Sequence, residues 1–395
     1  MIKQTQTKMF DFSDVDLDFC SGSKNKFPSV FKKMLSTGYN HKIANSVSIS
    51  ENQITLTYGG NHDYVADRVL LVSASGGFNK EVYIDTVTTN TVTCTVLDGI
   101  TNGLTGAINS RIASLGYDLV YEVGNIHIYK FKALDESDLF LRLCFQNIAA
   151  RRNCISACIG KSIDLNHGSI TDSNALTENV SITSPGNGFK WEFTIPTGGQ
   201  FDSYTYNQGE PYFGKAQVVG SPYHLMFLVN GYLDSSNSRI NGFFPCQSFN
   251  YETISNYPVI IGERYKIDGD LVQGQADTLE MYQASQRVKM DVISNMGSIA
   301  YPQASSSFLP RSIDEFDTTT AAPISILTNT GQFLGFSRGG IYIIKFDGNQ
   351  SATAQQSPSF TYDVDLDNKI LIHKLSNNFR NQVFFAFPVE AINET

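Results

Sequence analysis

The sequence predicts a mainly β protein: tandem β-sandwich or β-barrel-like units with an N-terminal extended arm and one or two short helices. Three observations predict it. The chain carries 27 Phe and 19 Tyr in 395 residues and is rich in Thr, Val and Ile, the residue types that suit a pleated, half-buried surface. Apolar residues recur at period two over short segments, the signature of strands. Its 31 Gly fall between those segments at turn-like spacing. At about 150 residues per domain the length suggests two to three domains. The pattern divides the chain into an arm (1–45), a small β-module (46–110), a central β-sandwich domain with long loops (111–268) and a C-terminal segment (269–395). That last segment is expected to open with a helix, continue in strands and pack on the central domain.

The elements follow in order. In SDVDLDF (13–19) Val15, Leu17 and Phe19 alternate with Asp14, Asp16 and Asp18, which predicts a strand with one solvated acidic face. KFPSVFKKMLSTG predicts a short helix over Phe27 to Leu35, with Pro28 near its start and Gly38 past its end. Phe27, Val30, Phe31 and Leu35 form its apolar stripe. One strand and one helix cannot fold alone, so this arm must dock, and an arm exchanged with a neighbour fits that need. Residues 46–350 are expected to fold without residues 1–44.

From Ser46 to Val96 the strands are closely spaced. NSVSISENQITLTYG reads as one strand or a pair, DRVLLVSA (67–74) as a buried strand, and KEVYIDTVTTNTVTCTV (80–96) as a hairpin turning at Thr89-Asn90. The expected core is Ile54, Leu56, Val69, Leu71, Val82, Ile84, Val92 and Val96. His62, Asp63, Asn79 and Lys80 are expected to tolerate change. AINSRIASL is compatible with a helical turn or a strand. VYEVGNIHIYKF (120–131) is a hairpin around Gly124-Asn125, and LFLRLCF (139–145) a strand. Residues 161–188 form a polar surface excursion. FKWEFTI (189–195), YHLMFLV (223–229) and YPVIIGERY (257–265) are strands. ADTLEMYQASQRV is the second helical candidate, through Leu279, Tyr282, Ala284 and Val288. QFLGFSRGGIYIIKFDG (332–348) reads as a hairpin turning at Ser337–Gly340. Residues 359–375 and VFFAF (383–387) supply the last strands.

Composition excludes several classes of function. Hydrophobic residues are 41% and charged residues only 17%, so a core is available and neutral polar groups cover the surface. Lys plus Arg is 29 against 38 Asp plus Glu, a net charge of -9, and a nucleic-acid binder would need a basic face. No run approaches the length of a membrane span, and the N-terminus has no secretory h-region. The six cysteines, Cys20, Cys94, Cys144, Cys154, Cys158 and Cys246, are scattered without zinc spacing and read as reduced, buried thiols.

Chemistry is not nominated by any motif. His41, His62, His127, His167, His224 and His373 never stand two to five apart, and HExxH, GxSxG and phosphate-loop patterns do not occur. The expectation is no enzyme, no cofactor and no metal. Asp14-Val-Asp16-Leu-Asp18 and Asp363-Val-Asp365-Leu-Asp367 begin like calcium loops. The Gly and Glu that such a loop needs at its sixth and twelfth positions are replaced by Phe19 and Asn25, and by Asn368 and Lys374. Tyr204, Tyr206 and Tyr212, in FDSYTYNQGEPYFG, are the candidate ligand or partner contacts. They would stack on sugar rings if exposed, or pack in a core or subunit contact if buried.

HDYVADRVLLVSASGGFNKEVYIDTVTTNTVTCTV resembles a small β-module of tailed-bacteriophage virion proteins. TGAINSRIASLGYDLVYEVGNIHIYKF, LFLRLCFQ, YHLMFLV, GFFPCQSF and YPVIIGERY are similar to later segments of a tail-associated family. Together they span roughly residues 46–350. Tyr117 stands where that family has Trp, Ser114 where it has Pro, and Pro245 interrupts its Gly-Asp pair. The resemblance implies a structural component of a tailed bacteriophage virion: a tail, tail-sheath-like, collar or baseplate subunit without catalytic residues. It would be assembled in the host bacterial cytoplasm through contacts with copies of itself and other virion proteins. A host-glycan receptor-binding protein, with loops 161–188 and 197–214 facing the host surface glycan, and a capsid decoration protein are the alternatives.

Overall fold

The computed structural model describes residues 7–18, 20–193, 202–206, 208, 215–230, 238–249, 254–264, 279–290, 321–344, 369–377 and 381–389. The fold is mainly β, built of antiparallel sheets, with a short α-helix at Phe27–Lys32.

Seven strands form one sheet in the order Tyr39–Ala44, Ile108–Ile112, Val69–Ala74, Asn79–Val87, Thr91–Thr95, Gln53–Thr57 and Ser46–Ser50. The first and last strands of that order are consecutive in the chain, separated only by Asn45. The Asn45 N–H continues the ladder by donating to the Thr57 carbonyl at 2.7 Å. One bent strand therefore borders both ends of the sheet, which closes into a small barrel. The ambiguous segment AINSRIASL supplies the strand Ile108–Ile112 that completes it.

The barrel interior holds Ile54, Leu56, Val82, Ile84, Val92 and Val96, as expected, but Val69 and Leu71 do not face it. Leu70 and Val72 do. Val69, with partly buried Leu71, packs instead with Tyr83 and Ala113 on the outer side. Both faces of this strand are apolar, so its period gave no sign of which set turns inward. His62 also departs from expectation. It is buried, its Nε2 lies 2.8 Å from the Thr88 carbonyl, and its ring stacks against Tyr64. It closes the barrel end rather than lying in a tolerant loop.

The rest of the protein branches at strand Val259–Arg264. One edge pairs with Leu279–Gln283. The other is shared, residues 259–261 pairing with Ser238–Phe244 and residues 263–264 with Phe189–Glu192. Two sheets diverge from this fork. The first runs through Phe189–Glu192, Cys154–Gly160, Asp138–Phe145 and Ile126–Lys132 to Asp118–Val123; the second runs through Ser238–Phe244, His224–Asn230 and Lys215–Ser221 to Lys8–Asp11. Gly242 makes the fork possible. Its φ is +142°, and a Cβ there would sit 2.0 Å from the Leu225 carbonyl oxygen, a position open only to glycine.

The helix lies between these sheets. Phe31 stacks on Phe227 of the second sheet at 5.0 Å and meets Phe145 of the first edge-on at 5.3 Å, while Phe27 meets Phe193 at 4.9 Å. Phe27, Val30, Phe31 and Leu35 are buried, as their spacing predicts. After one π turn, Lys33–Thr37, the chain leaves at Gly38, whose φ is +74°. Behind the second sheet packs a four-stranded sheet ordered Ala321–Pro323, Tyr342–Ile344, Asn381–Val389 and Lys369–Asn377. Strand His224–Asn230 is thus covered on both faces: Leu225, Phe227 and Val229 enter the helix-containing core, and Met226 and Leu228 meet Leu371, Phe385 and Phe387.

Four further expectations are corrected. The predicted strand 13–19 is a series of turns over the described residues 13–18, and strand Lys8–Asp11 precedes it. Asp14 is buried, not solvated, because its carboxylate takes a bidentate pair from Arg68 at 2.9 Å and the Tyr39 hydroxyl at 2.6 Å. The C-terminal helix is a hairpin, Leu279–Gln283 and Gln286–Met290, turning at Ala284 with φ +53°. Met281 and Tyr282 are buried in different cores, so two-sided burial imitated a helical stripe. Strands Phe333–Ser337 and Tyr342–Ile344 are not a hairpin: the first pairs with Cys246–Ser248 and Ser325–Thr328, the second with the C-terminal sheet. Finally, the arm docks on its own chain. Phe10, Phe12, Phe27 and Phe31 sit within the largest core, so residues 46–350 lack part of their interior without it.

Candidate functional site

Tyr204 and Tyr206 belong to a short described stretch strapped to the N-terminal segment. The Asn25 N–H donates to the Asp202 carbonyl at 3.0 Å, Lys24 pairs with Asp202 at 3.2 Å, and the Ser23 hydroxyl donates to the Tyr204 carbonyl. Tyr204 is 37% exposed, whereas Tyr206 is partly buried against the main core. The pair therefore does not form a platform of two exposed rings. Tyr212 lies outside the described residues, as do Phe19 and the acidic stretch 363–367. The loop 161–188 is less free than its polarity suggests. Buried Arg142 donates to the carbonyls of Gly168 at 2.7 Å, Asn179 at 3.3 Å and Ile182 at 2.7 Å, holding the loop down.

A concave site lies elsewhere. A cavity of about 300 Å³ opens where the hairpin loop at 131–134 meets Tyr223, residues 245–248, residues 255–258 and Arg338. Strand register builds it. Gln247 is opposite Phe336 in the pairing of Cys246–Ser248 with Phe333–Ser337, which puts both side chains on one face. The Arg338 guanidinium lies 5.5 Å from the Phe336 ring centre. Phe249 packs edge-on with Phe336 at 5.6 Å and stacks on Phe333 at 6.1 Å. Phe333 is 52% and Phe249 38% exposed. Other polar groups of the wall are engaged: Tyr223 donates to Glu136 at 2.5 Å, Asn256 to Asp135, and the Gln283 amide to Ser248 at 2.5 Å. Sequence reasoning missed this site because its residues come from five separate segments. Of FLGFSR (333–338) only Arg338 lines the cavity, so no local pattern marked it.

A second concentration of charge is internal. At the fork, Arg152 lies 3.5 Å and Lys190 3.9 Å from Glu192, and Arg239 lies 3.3 Å from Glu263. All five are buried. Desolvation holds the Lys190 ammonium below its ordinary pKa, partly offset by Glu192 and Glu263. Such clusters cost desolvation and are strongly destabilised when one member is removed. FKWEF showed the alternation but not that its charged face is covered.

Four of the six histidines, His62, His127, His224 and His373, and all six cysteines are also interior. Burial lowers the pKa of His127, His224 and His373 to about 4 each. All six cysteines are free and buried, and burial pushes the Cys144 thiol up to about 11 and that of Cys246 to about 12, the reverse of an activated nucleophile. Among the described residues no three His, Cys, Asp or Glu side chains are grouped to hold a metal ion, and no helix is long and apolar enough to cross a membrane. No family model, curated protein or solved structure matches the chain.

Proposed function

We propose that the chain is a structural subunit of a tailed-bacteriophage virion: a tail, tail-sheath-like, collar or baseplate component that assembles by contacts with copies of itself and other virion proteins. The observation that carries this reading is the way the barrel, whose segment 62–96 bears the resemblance, is clamped to the body. Arg68 pairs with buried Asp14 at 2.9 Å; Lys8 with Glu81 at 2.6 Å, also donating to the Ser114 carbonyl at 2.5 Å; and Lys369 with Asp67 at 2.6 Å. The pairs draw on both the N-terminal segment and the C-terminal sheet, so the barrel is fixed against rotation. Rigid joints between β units suit a part that transmits force rather than one that turns over substrate. Strand Asp118–Val123 has one pairing partner among the described residues, which leaves an edge for β-augmentation by a neighbour.

Electron microscopy of purified particles tests the reading. The expected outcome is density for this chain in several symmetric copies, with the barrel fixed in one orientation to the body. Gradient-purified virions that lack the chain by mass spectrometry would overturn it.

A further inference from the structure

The strand that bends at Asn45 to close the barrel carries an unpaired edge. Its first half, Tyr39–Ala44, pairs with Ile108–Ile112, and its second half, Ser46–Ser50, pairs with Gln53–Thr57. Among the described residues the outer side of Ser46–Ser50 has no ladder partner. Ser46, Ser48, Ile49 and Ser50 are exposed and Val47 is half-buried. Ile49 is out of place at 48% exposure. Its cross-strand partner Ile54, and Leu56 opposite Val47, are fully buried in the barrel interior. Opposed residues share a face, so Val47 and Ile49 turn towards the interior at a rim that is only partly covered. The exposed Leu97 and Ile100 stand beside the end of the same hairpin, where the Val96 N–H donates to the Asn52 carbonyl at 2.8 Å. Within 46–50 there is no charge and no Pro, the devices that commonly keep an edge from pairing.

The sequence of this edge fits a second copy of itself. The two-residue turn Glu51-Asn52 sets Ser50 opposite Gln53, which makes that pair a hydrogen-bonded one. Such pairs recur at every second residue, so the backbone N–H and C=O of Val47 and Ile49 point to the free side. SVSIS reads nearly the same in both directions. Set antiparallel about Ser48, Ser48 meets Ser48, Val47 meets Ile49, and Ser46 meets Ser50 of the other copy. Val47 and Ile49 then exchange four backbone hydrogen bonds, with Val–Ile contacts on the interior side and serines on the outer side. Just beyond, Glu51 falls opposite Asn45, so no like charges are opposed. The edge Asp118–Val123 is different. Paired with itself about Val120 it would set Asp118 against Glu122, which leaves it to a neighbour of another sequence. We propose that Ser46–Ser50 pairs antiparallel with the same strand of a second copy, across a two-fold axis at Ser48. Each copy uses the same edge, so the association closes at two. Five residues a side fall short of the roughly 800 Å² per partner of a standard interface. The free chain therefore associates weakly, and tethering in an assembly raises the effective concentration.

The test is sedimentation of the full chain at concentrations rising to about 1 mM, with two variants at the two-fold position. The parent is expected to pass from monomer to dimer and no further. Ser48→Asp and Ser48→Lys each set like charges directly opposite one another and should weaken the dimer at least about tenfold. Ser48 is exposed, so thermal unfolding should be unchanged in both. An equimolar mixture of the two variants should restore the dimer, because Asp then meets Lys. A parent that stays monomeric throughout, a dimer that neither variant weakens, or a mixture no more associated than each variant alone would each overturn the proposal. The contact does not rest on the virion reading. A monomeric chain found in particles would sink the pairing alone, and a dimer absent from particles would sink the virion reading alone.

Discussion

The barrel and the body solve the same problem of burying apolar strands in opposite ways. In the barrel, the hairpins Ser46–Ser50 with Gln53–Thr57 and Asn79–Val87 with Thr91–Thr95 pair with near neighbours in the chain. Closure then gives most strands one dry face and one wetter one. In the body, Lys8–Asp11 pairs with Lys215–Ser221, two hundred residues away, and strand His224–Asn230 is dry on both faces. Charges follow the same division. Lys80 on the barrel surface pairs with the exposed Asp98, whereas the fork buries Arg152, Lys190, Glu192, Arg239 and Glu263. The difference teaches that local pairing makes a unit tolerant of its context, while long-range pairing makes every element depend on the rest.

Removing residues 1–38 is the strongest way to separate the two regions. It strips Phe10, Phe12, Phe27, Val30, Phe31, Met34 and Leu35 from the core. At about 1.5–3 kcal/mol for each large apolar side chain, the loss matches the roughly 5–15 kcal/mol that holds a domain together. The body is expected to lose protection in hydrogen exchange while Gln53–Thr57 and Asn79–Thr95 keep theirs. Uniform loss in both regions would show that the barrel is not independent.

Arg68→Ala attacks the joint itself. It leaves the Asp14 carboxylate buried beside Asp11, and a broken buried pair costs about 3–5 kcal/mol. Denaturant melts should show that loss, and replacing Asp14 as well, as Arg68→Met with Asp14→Leu, should recover much of it. A single variant as stable as the parent would mean the joint carries little.

Within the barrel, Ile84→Ala should cost about 2–5 kcal/mol through a cavity at a fully buried site. Lys80→Ala should stay within about 0.5 kcal/mol, because its ion pair is on the surface. Equal melting temperatures for the two variants would refute the barrel register.

Acidification gives a milder contrast. His127, His224 and His373, whose folded pKa is about 4, all lie in the body. An unfolded histidine binds its proton near pH 6.5, so above that pH these groups cost nothing. As pH falls from about 6.5 towards 4 the unfolded chain takes up protons that the folded body does not, and stability is lost by about 2 kcal/mol per histidine at pH 5. Asp11, whose carboxyl burial and the neighbouring Asp14 hold above its ordinary pKa, works in the other direction. The expected result is that body probes melt before barrel probes at pH 5 and together with them at pH 7. Coincident melting at both values would show that the histidines do not govern acid stability.

The β class, the hairpins at 79–95 and 118–132 and the buried stripe of helix Phe27–Lys32 were legible in the sequence, since each rests on contacts within a few turns of chain. Which face of Val69–Ala74 turns inward was not, because apolar residues occupy both. The hairpin Leu279–Met290 was not either, because Met281 and Tyr282 enter separate cores and two-sided burial erases period two. The site at Arg338 joins residues more than two hundred positions apart in the chain, and no window of sequence contains it. Local alternation and turn chemistry are written residue by residue, so most strands and helix Phe27–Lys32 could be read from the chain, but not the turns at 13–18 or the hairpin Leu279–Met290. The docking of the arm, the fork at Gly242 and the burial of five charges depend on what packs against each face. A strand carries no record of its distant neighbours, so the tertiary structure alone decided them.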